Sequence, residues 1–177
     1  RVGFTTTISD TDLPSGAKQK INEIIMNAEQ EVEKQIKLYH NKELETFPGK
    51  TLKETVELKI MDILNKARNS TGEVVSEHND KKTHTMVMVD SGARGNILNL
   101  TQMAACVCQQ AMRGMRIEKG YRDRTLSCFK RDDLMPKAHG FIEFGFKGGL
   151  SPQDFFFASI TGRDSLMDTA LRTPKSG

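Results

Sequence analysis

The chain reads as a mainly α protein with a small irregular or β portion. A long helical hairpin comes first, a buried helix follows, and a second long helix closes the C-terminal end. Three observations predict this. Apolar residues recur at three- and four-residue steps over residues 15–39 and again over 52–68. No charged residue lies between Arg94 and Arg113. Ser151-Pro152-Gln153-Asp154 carries the chemistry of a helix start.

The first helix is predicted from Ser15 to Tyr39, where Ile21, Ile25, Ala28, Val32, Ile36 and Tyr39 make one narrow apolar stripe. Its other faces are charged or polar, and Glu33 with Lys37 forms a favourable i,i+4 pair. Phe47-Pro48-Gly49 breaks the chain. Thr51-Leu52-Lys53-Glu54 then offers a capping box, and Leu52, Val56, Ile60, Ile63, Leu64 and Ala67 carry the stripe on to about Arg68. Matching lengths and a short polar link suit an antiparallel hairpin projecting from a body, or equally two helices of an ordinary bundle.

Asn69 to Lys82 is polar and reads as irregular, and Thr85–Val89 is an apolar run too brief to assign. Ser91-Gly92-Ala93-Arg94-Gly95 is a turn, after which Asn96 can cap a helix running to about Met112. On that helix Asn99, Gln102, Cys106 and Gln109 fall on one side, with Gln110 beside them. Buried amides need partners, so this stripe should face structured groups, water or a ligand. Residues 116–149 are loop-rich, with a candidate strand at Phe141-Ile142-Glu143-Phe144. A helix from Pro152 to Thr173 would place Thr161, Asp164, Asp168 and Arg172 on one face, with Asp168 and Arg172 paired. Domain-like units are expected at 1–70, 71–150 and 151–177.

Composition narrows the function classes. A net charge of +3 permits contact with nucleic acid without arguing for it. Cys106, Cys108 and Cys128 form no Cys-x-x-Cys pair, which fits a reducing compartment and no disulfide framework. On a helix, Cys106 and Cys108 would point about 200° apart and share no metal. His40, His78, His84 and His139 are scattered, so no metal site is expected. The opening Arg1-Val2-Gly3 has neither a signal peptide's apolar core nor an initiator methionine, as if cut from a longer chain. The buried helix is too short and too rich in amides to span a membrane. No phosphate loop, dinucleotide fingerprint or nucleophile elbow occurs. Asp132-Asp133 and Asp164 with Asp168 are carboxylate pairs offset by neighbouring basic residues.

Several runs resemble a known family in the same order along nearly the whole chain. Ser91-Gly92-Ala93-Arg94-Gly95-Asn96-Ile97-Leu98-Asn99-Leu100-Thr101-Gln102-Met103, continuing through Gln110, is similar to the pore and funnel helix of the largest subunit of multisubunit RNA polymerases, in its archaeal A-prime wording. Gly120–Leu126 resembles the segment that follows it, and Leu150–Phe157 with Gly162, Arg163 and Asp168–Ala170 the start of the bridge helix. Gly3-Phe4-Thr5 and Leu64–Arg68 resemble the edges of the funnel helices.

The resemblance implies a segment of DNA-directed RNA polymerase that lines the secondary channel for nucleoside triphosphates and begins the bridge helix. Channel-lining positions, matching an inhibitor pocket of the nuclear enzymes, would be Arg68, Leu98, Thr101, Gln102, Cys106, Gln109, Gln110, Asp164 and Asp168. Arg163, Arg172 and Thr173 would lie near template and nucleic acid. Implied partners are the other polymerase subunits, the DNA template and RNA, and a zinc-ribbon transcript-cleavage factor, in the cytoplasm. The family's aspartate-rich magnesium loop is missing, so catalytic Mg2+ would be bound elsewhere in the full subunit and this segment alone would be inactive. Cys108 stands in place of the family's usual glycine, Ala158 replaces a histidine, and Met115 a lysine of the nuclear enzymes. Pro174 replaces an alanine in the bridge; a proline inside a helix costs roughly 3 kcal/mol. Two other classes stay open: a free-standing interaction or inhibitor module copying polymerase elements, and a separate nucleic-acid-binding protein.

Overall fold

The computed structural model describes residues 6–118 and 120–172. Two long helices, α1 (Ser15–His40) and α2 (Leu52–His78), pack against each other along their apolar stripes. Ala17, Ile21, Ile25, Ala28, Val32 and Ile36 meet Val56, Ile60, Ile63, Leu64 and Ala67, and Val32, Val56, Ile60 and Leu64 are wholly closed off from solvent. The spacing therefore predicts both the helices and the core between them. At the start of α2, the Thr51 hydroxyl accepts the Glu54 N–H (3.2 Å) and the Glu54 carboxylate receives the Thr51 N–H (2.8 Å), closing the capping box. Glu33 and Lys37 pair at 3.1 Å on the exposed side of α1.

The structure departs from the sequence reading along α2. The helix does not yield to irregular chain at Asn69 but continues to His78. Ala67, Thr71 and Val75 are buried at four-residue steps, so the apolar face persists beneath a polar surface. Thr71 settles its hydroxyl by donating to the Ala67 carbonyl at 2.8 Å. The body also lies alongside α2 from Glu57 to Ser76, so the hairpin is flanked rather than projecting free. The brief apolar run after it is a short helix, α3 (His84–Asp90), anchored by Met86.

A second correction concerns the uncharged stretch. Asn96 does cap a helix, accepting the Leu98 N–H at 3.0 Å. That helix, α4, spans only Ile97–Ala104 and does not reach Met112. The Thr101 carbonyl receives the N–H groups of both Ala105 (2.8 Å) and Cys106 (3.1 Å), which ends the ladder. Beyond it, backbone partners come from across the chain: Val107 N–H to the Phe144 carbonyl (3.0 Å) and Gln110 N–H to that of Gly140 (2.9 Å). Cys108 sits at φ 65°, which no right-handed helix contains. Strand β1 (Cys108–Gln109) pairs antiparallel with β4 (Phe141–Ile142), and β2 (Ala111–Met112) with β3 (Met115–Arg116). Arg113 and Gly114, both at positive φ, make the two-residue turn between β2 and β3.

The last helix, α5 (Pro152–Arg172), starts as its sequence dictates. Ser151 accepts the Asp154 N–H at 3.2 Å and donates its hydroxyl to the Asp154 carboxylate at 2.6 Å. Phe157 anchors its first turns and stacks on Phe129, with ring centroids 6.2 Å apart. Past Phe157 no described side chain of α5 is buried.

Candidate functional site

A cavity of 510 Å³ opens between α2, the end of α3 and the start of α4. Arg68, Gly72 and Ser76 form its α2 wall, Val89 and Asp90 its α3 edge, and Asn96, Leu98 and Thr101 its α4 wall. Gly72 lies inside a helix, where glycine costs roughly 0.5–1 kcal/mol relative to alanine. A Cβ there would stand 3.6 Å from the Thr101 hydroxyl oxygen, an ordinary van der Waals contact between α2 and α4. Thr101 is buried and donates its hydroxyl to the Ile97 carbonyl at 2.9 Å. Arg68 and Leu98 are half-buried at the mouth.

The cavity thus brings together three of the residues singled out from the sequence: Arg68, Leu98 and Thr101. The expected stripe of Asn99, Gln102, Cys106 and Gln109 is not one helical face, because the helix ends at Ala104. Gln102 is half-buried on α4, and Cys106 is buried just beyond it. Gln109 is buried on β1, where its amide nitrogen donates to the carbonyls of Gln110 (2.7 Å) and His139 (2.8 Å). It acts as a tie between two backbone segments. Gln110 is half-buried and held through its N–H by Gly140. Asp164 and Asp168 lie elsewhere, on α5. Asp164 is half-buried with the Arg113 guanidinium 3.9 Å away, and Asp168 is exposed and pairs with Arg172 at 3.0 Å. Arg163 is exposed. Thr173, Pro174 and Gly3-Phe4-Thr5 lie outside the described residues.

Two clusters escaped the sequence reading. The first is a buried polar tie near the start of α2. The Arg116 guanidinium grips Glu57 and the Leu134 carbonyl, while the His139 ring nitrogens lie 2.7 Å from the carbonyls of Ile117 and Asp133. Burial pushes the Glu57 carboxyl up, but the hydrogen bond and charge of Arg116 together hold it below the usual glutamate range. No spacing rule links residues this far apart. The second is Cys106 and Cys108, whose sulfurs are 3.1 Å apart rather than on opposite sides of a helix. In extended chain, residues two apart face the same way, and that period was the available signal.

Among the described residues no group of three or more histidine, cysteine or acidic side chains is placed to hold a metal ion. Asp133 instead accepts the Met135 N–H. No described helix is long and apolar enough to cross a membrane.

Residues 35–142 match the family described as RNA polymerase Rpb1, domain 4. The chain is 50% identical over 175 residues to the DNA-directed RNA polymerase subunit Rpo1N of Halococcus morrhuae, covering 99% of this chain and 50% of that protein. It is 50% identical over 175 residues to the subunit of that name from Thermococcus celer, covering 99% of this chain and 19% of the relative. For Sulfolobus acidocaldarius the identity is 42% over 175 residues, with 99% and 20% covered. The chain therefore spans half of the first relative and about a fifth of the other two. The family match runs from the end of α1 through α2, the cavity and the β1–β4 pair, well over half of the 177 residues. On that match, and on archaeal relatives aligned along almost its whole length, the chain belongs to the RNA polymerase Rpb1 domain 4 family.

Proposed function

We propose that this chain is the part of an archaeal polymerase's largest subunit that lines the nucleotide-entry channel and begins the bridge helix, in DNA-templated transcription. The observation that carries the reading is the state of α5. Its Leu166, Met167 and Leu171 are 74%, 58% and 69% exposed, and nothing in the described chain covers them. A helix with apolar and charged side chains facing open space on several sides suits a strut that other subunits and nucleic acid enclose. Arg163 and Arg172 would approach phosphates or hold the strut, with Thr173 nearest the template.

The Arg68, Leu98 and Thr101 cavity supports the channel half of the reading, since α2 supplies Arg68 and α4 supplies Leu98 and Thr101 to one cavity. Gln102, Cys106, Gln109 and Gln110 continue from it toward the β1–β4 pair. In this reading the units 1–70, 71–150 and 151–177 are the funnel hairpin, the pore body and the first part of the bridge. Nucleoside triphosphates pass the cavity, and a zinc-ribbon cleavage factor docks near its mouth. Nucleotidyl transfer depends on Mg2+ held elsewhere in the full subunit, so the segment alone is inactive.

The test uses polymerase assembled with the full-length subunit. Arg68→Ala and Leu98→Ala are expected to raise the triphosphate concentration giving half-maximal elongation, or to weaken factor-stimulated RNA cleavage. Asp168→Ala is expected to slow elongation at saturating triphosphate. If all three variants transcribe and cleave as the parent does, the channel and bridge assignments fail.

A further inference from the structure

Cys106 and Cys108 are 1% exposed each, and their sulfurs lie 3.1 Å apart. The arrangement is built rather than incidental. The helix stops at Ala104, the chain turns at Ala105, and Cys108 takes a left-handed φ of 65° before β1 pairs with β4. That sequence of turns carries the two side chains to one side. The Thr101 carbonyl holds the Cys106 N–H at 3.1 Å. The Cys108 sulfur also lies 3.6 Å from the Cys106 carbonyl, with the Arg68 charge close enough to be felt. Arg68 and Thr101 both line the 510 Å³ cavity, so the cysteine segment is joined to it through the Thr101 carbonyl.

We propose that Cys106 and Cys108 are a modification site: an oxidisable dithiol that hydrogen peroxide converts to an intramolecular disulfide. The Cys106 sulfur attacks one peroxide oxygen, forming an S–O bond and breaking the O–O bond. Two electrons pass from sulfur to the oxidant, and the departing hydroxide takes the thiol proton to become water. The Cys108 sulfur then attacks the sulfenic sulfur of Cys106. The S–S bond forms, the S–O bond breaks, and a second water leaves with the Cys108 proton. Closing the bond asks the sulfurs to approach by about 1 Å, to the usual 2.03–2.05 Å.

The roles follow from the surroundings. The hydrogen bond from Cys108 holds the Cys106 thiol below its ordinary value, which suits the attacking sulfur. The Cys108 sulfur, 3.1 Å away, is placed to resolve the intermediate once its neighbour has been oxidised. Burial limits the site to small oxidants. Access comes through local opening of the two-residue β1–β4 ladder, which offers few hydrogen bonds to break. The chemistry stands on the two sulfurs alone and does not rest on the polymerase reading.

The experiment treats assembled polymerase containing the full-length subunit with hydrogen peroxide. Free thiols are then alkylated under denaturing conditions and the peptides weighed. The expected result is a peptide bearing Cys106 and Cys108 that has lost two hydrogens, takes no alkylating agent, and regains both thiols with dithiothreitol. Exposed Cys128 reports that oxidant was delivered. A Cys108→Gly variant, in which glycine accepts the positive φ without strain, should instead accumulate sulfenic acid at Cys106 that dimedone traps. If Cys128 is oxidised while Cys106 and Cys108 are both still alkylated, the proposal is overturned. It is also overturned if the parent and Cys108→Gly proteins trap equal dimedone at Cys106.

Discussion

Arg116 and Glu57 join β3 to α2 through two parallel hydrogen bonds, Nε to Oε2 and Nη2 to Oε1, each 2.8 Å long. The arginine side chain is 1% exposed and the glutamate 17%. The third nitrogen of the fork donates to the Leu134 carbonyl at 3.1 Å, so the guanidinium is held on three sides. One buried cation thus fixes α2, β3 and the 130s loop in a single geometry.

Removing one partner strands the other. Glu57→Ala leaves a buried guanidinium with only a carbonyl, and breaking such a pair costs about 3–5 kcal/mol. The denaturant midpoint of the chain should fall accordingly. Glu33→Ala on exposed α1 breaks its pair with Lys37 and should cost no more than about 0.5 kcal/mol. Equal effects from the two variants would show that the Arg116 pair contributes nothing special.

The pair also fixes a pH dependence. The Glu57 carboxyl is depressed in the folded protein, so the unfolded chain takes up its proton first. Its stabilisation is fully present above the ordinary glutamate value and is lost as pH falls through the lower folded value. Acid unfolding followed by circular dichroism should therefore lose part of its steepness in Glu57→Gln. An identical acid transition in parent and variant would contradict the depression.

The hairpin core predicts a cavity cost. Ile60 is fully buried between α1 and α2, while Leu58, two positions away, is 41% exposed. Ile60→Ala should destabilise by about 2–5 kcal/mol, whereas Leu58→Ala should stay within about 0.5 kcal/mol of the parent for lack of a core role. Thermal unfolding of the two variants side by side reads the difference.

The exposed helix predicts weak protection. In the isolated chain, amides from Thr161 to Arg172 should exchange far faster than those of Val56 to Ala67, because no described side chain past Phe157 is buried. Hydrogen exchange by mass spectrometry checks this. Comparable protection in the two stretches would mean that α5 needs no outside partner.

Periodicity and local cap chemistry made α1, α2, their apolar faces, the Thr51–Glu54 capping box and the Ser151 start of α5 legible, because each depends on residues within a few positions of one another. Arg68, Leu98 and Thr101, which only the family resemblance marks, share one cavity. The uncharged stretch misled because apolar residues and amides suit a buried helix and a buried strand alike. What decides there is pairing with Gly140–Phe144, some thirty residues on, which no local pattern reveals. The extension of α2 was hidden for the opposite reason. Ala67, Thr71 and Val75 are buried, but the polar residues between them dominate the composition. Arg116 and His139 carry no local signal, because their partners are backbone carbonyls and a glutamate from a distant helix.

The extended α2 sets a register for everything built on it. Glu57 and Arg68 are eleven positions apart, about three turns, so both point the same way from the helix. One serves the buried arginine, the other the cavity mouth. Adding or deleting a single residue between them would turn the far half by about 100°. Length in this stretch is therefore under tighter constraint than the identity of most of its side chains.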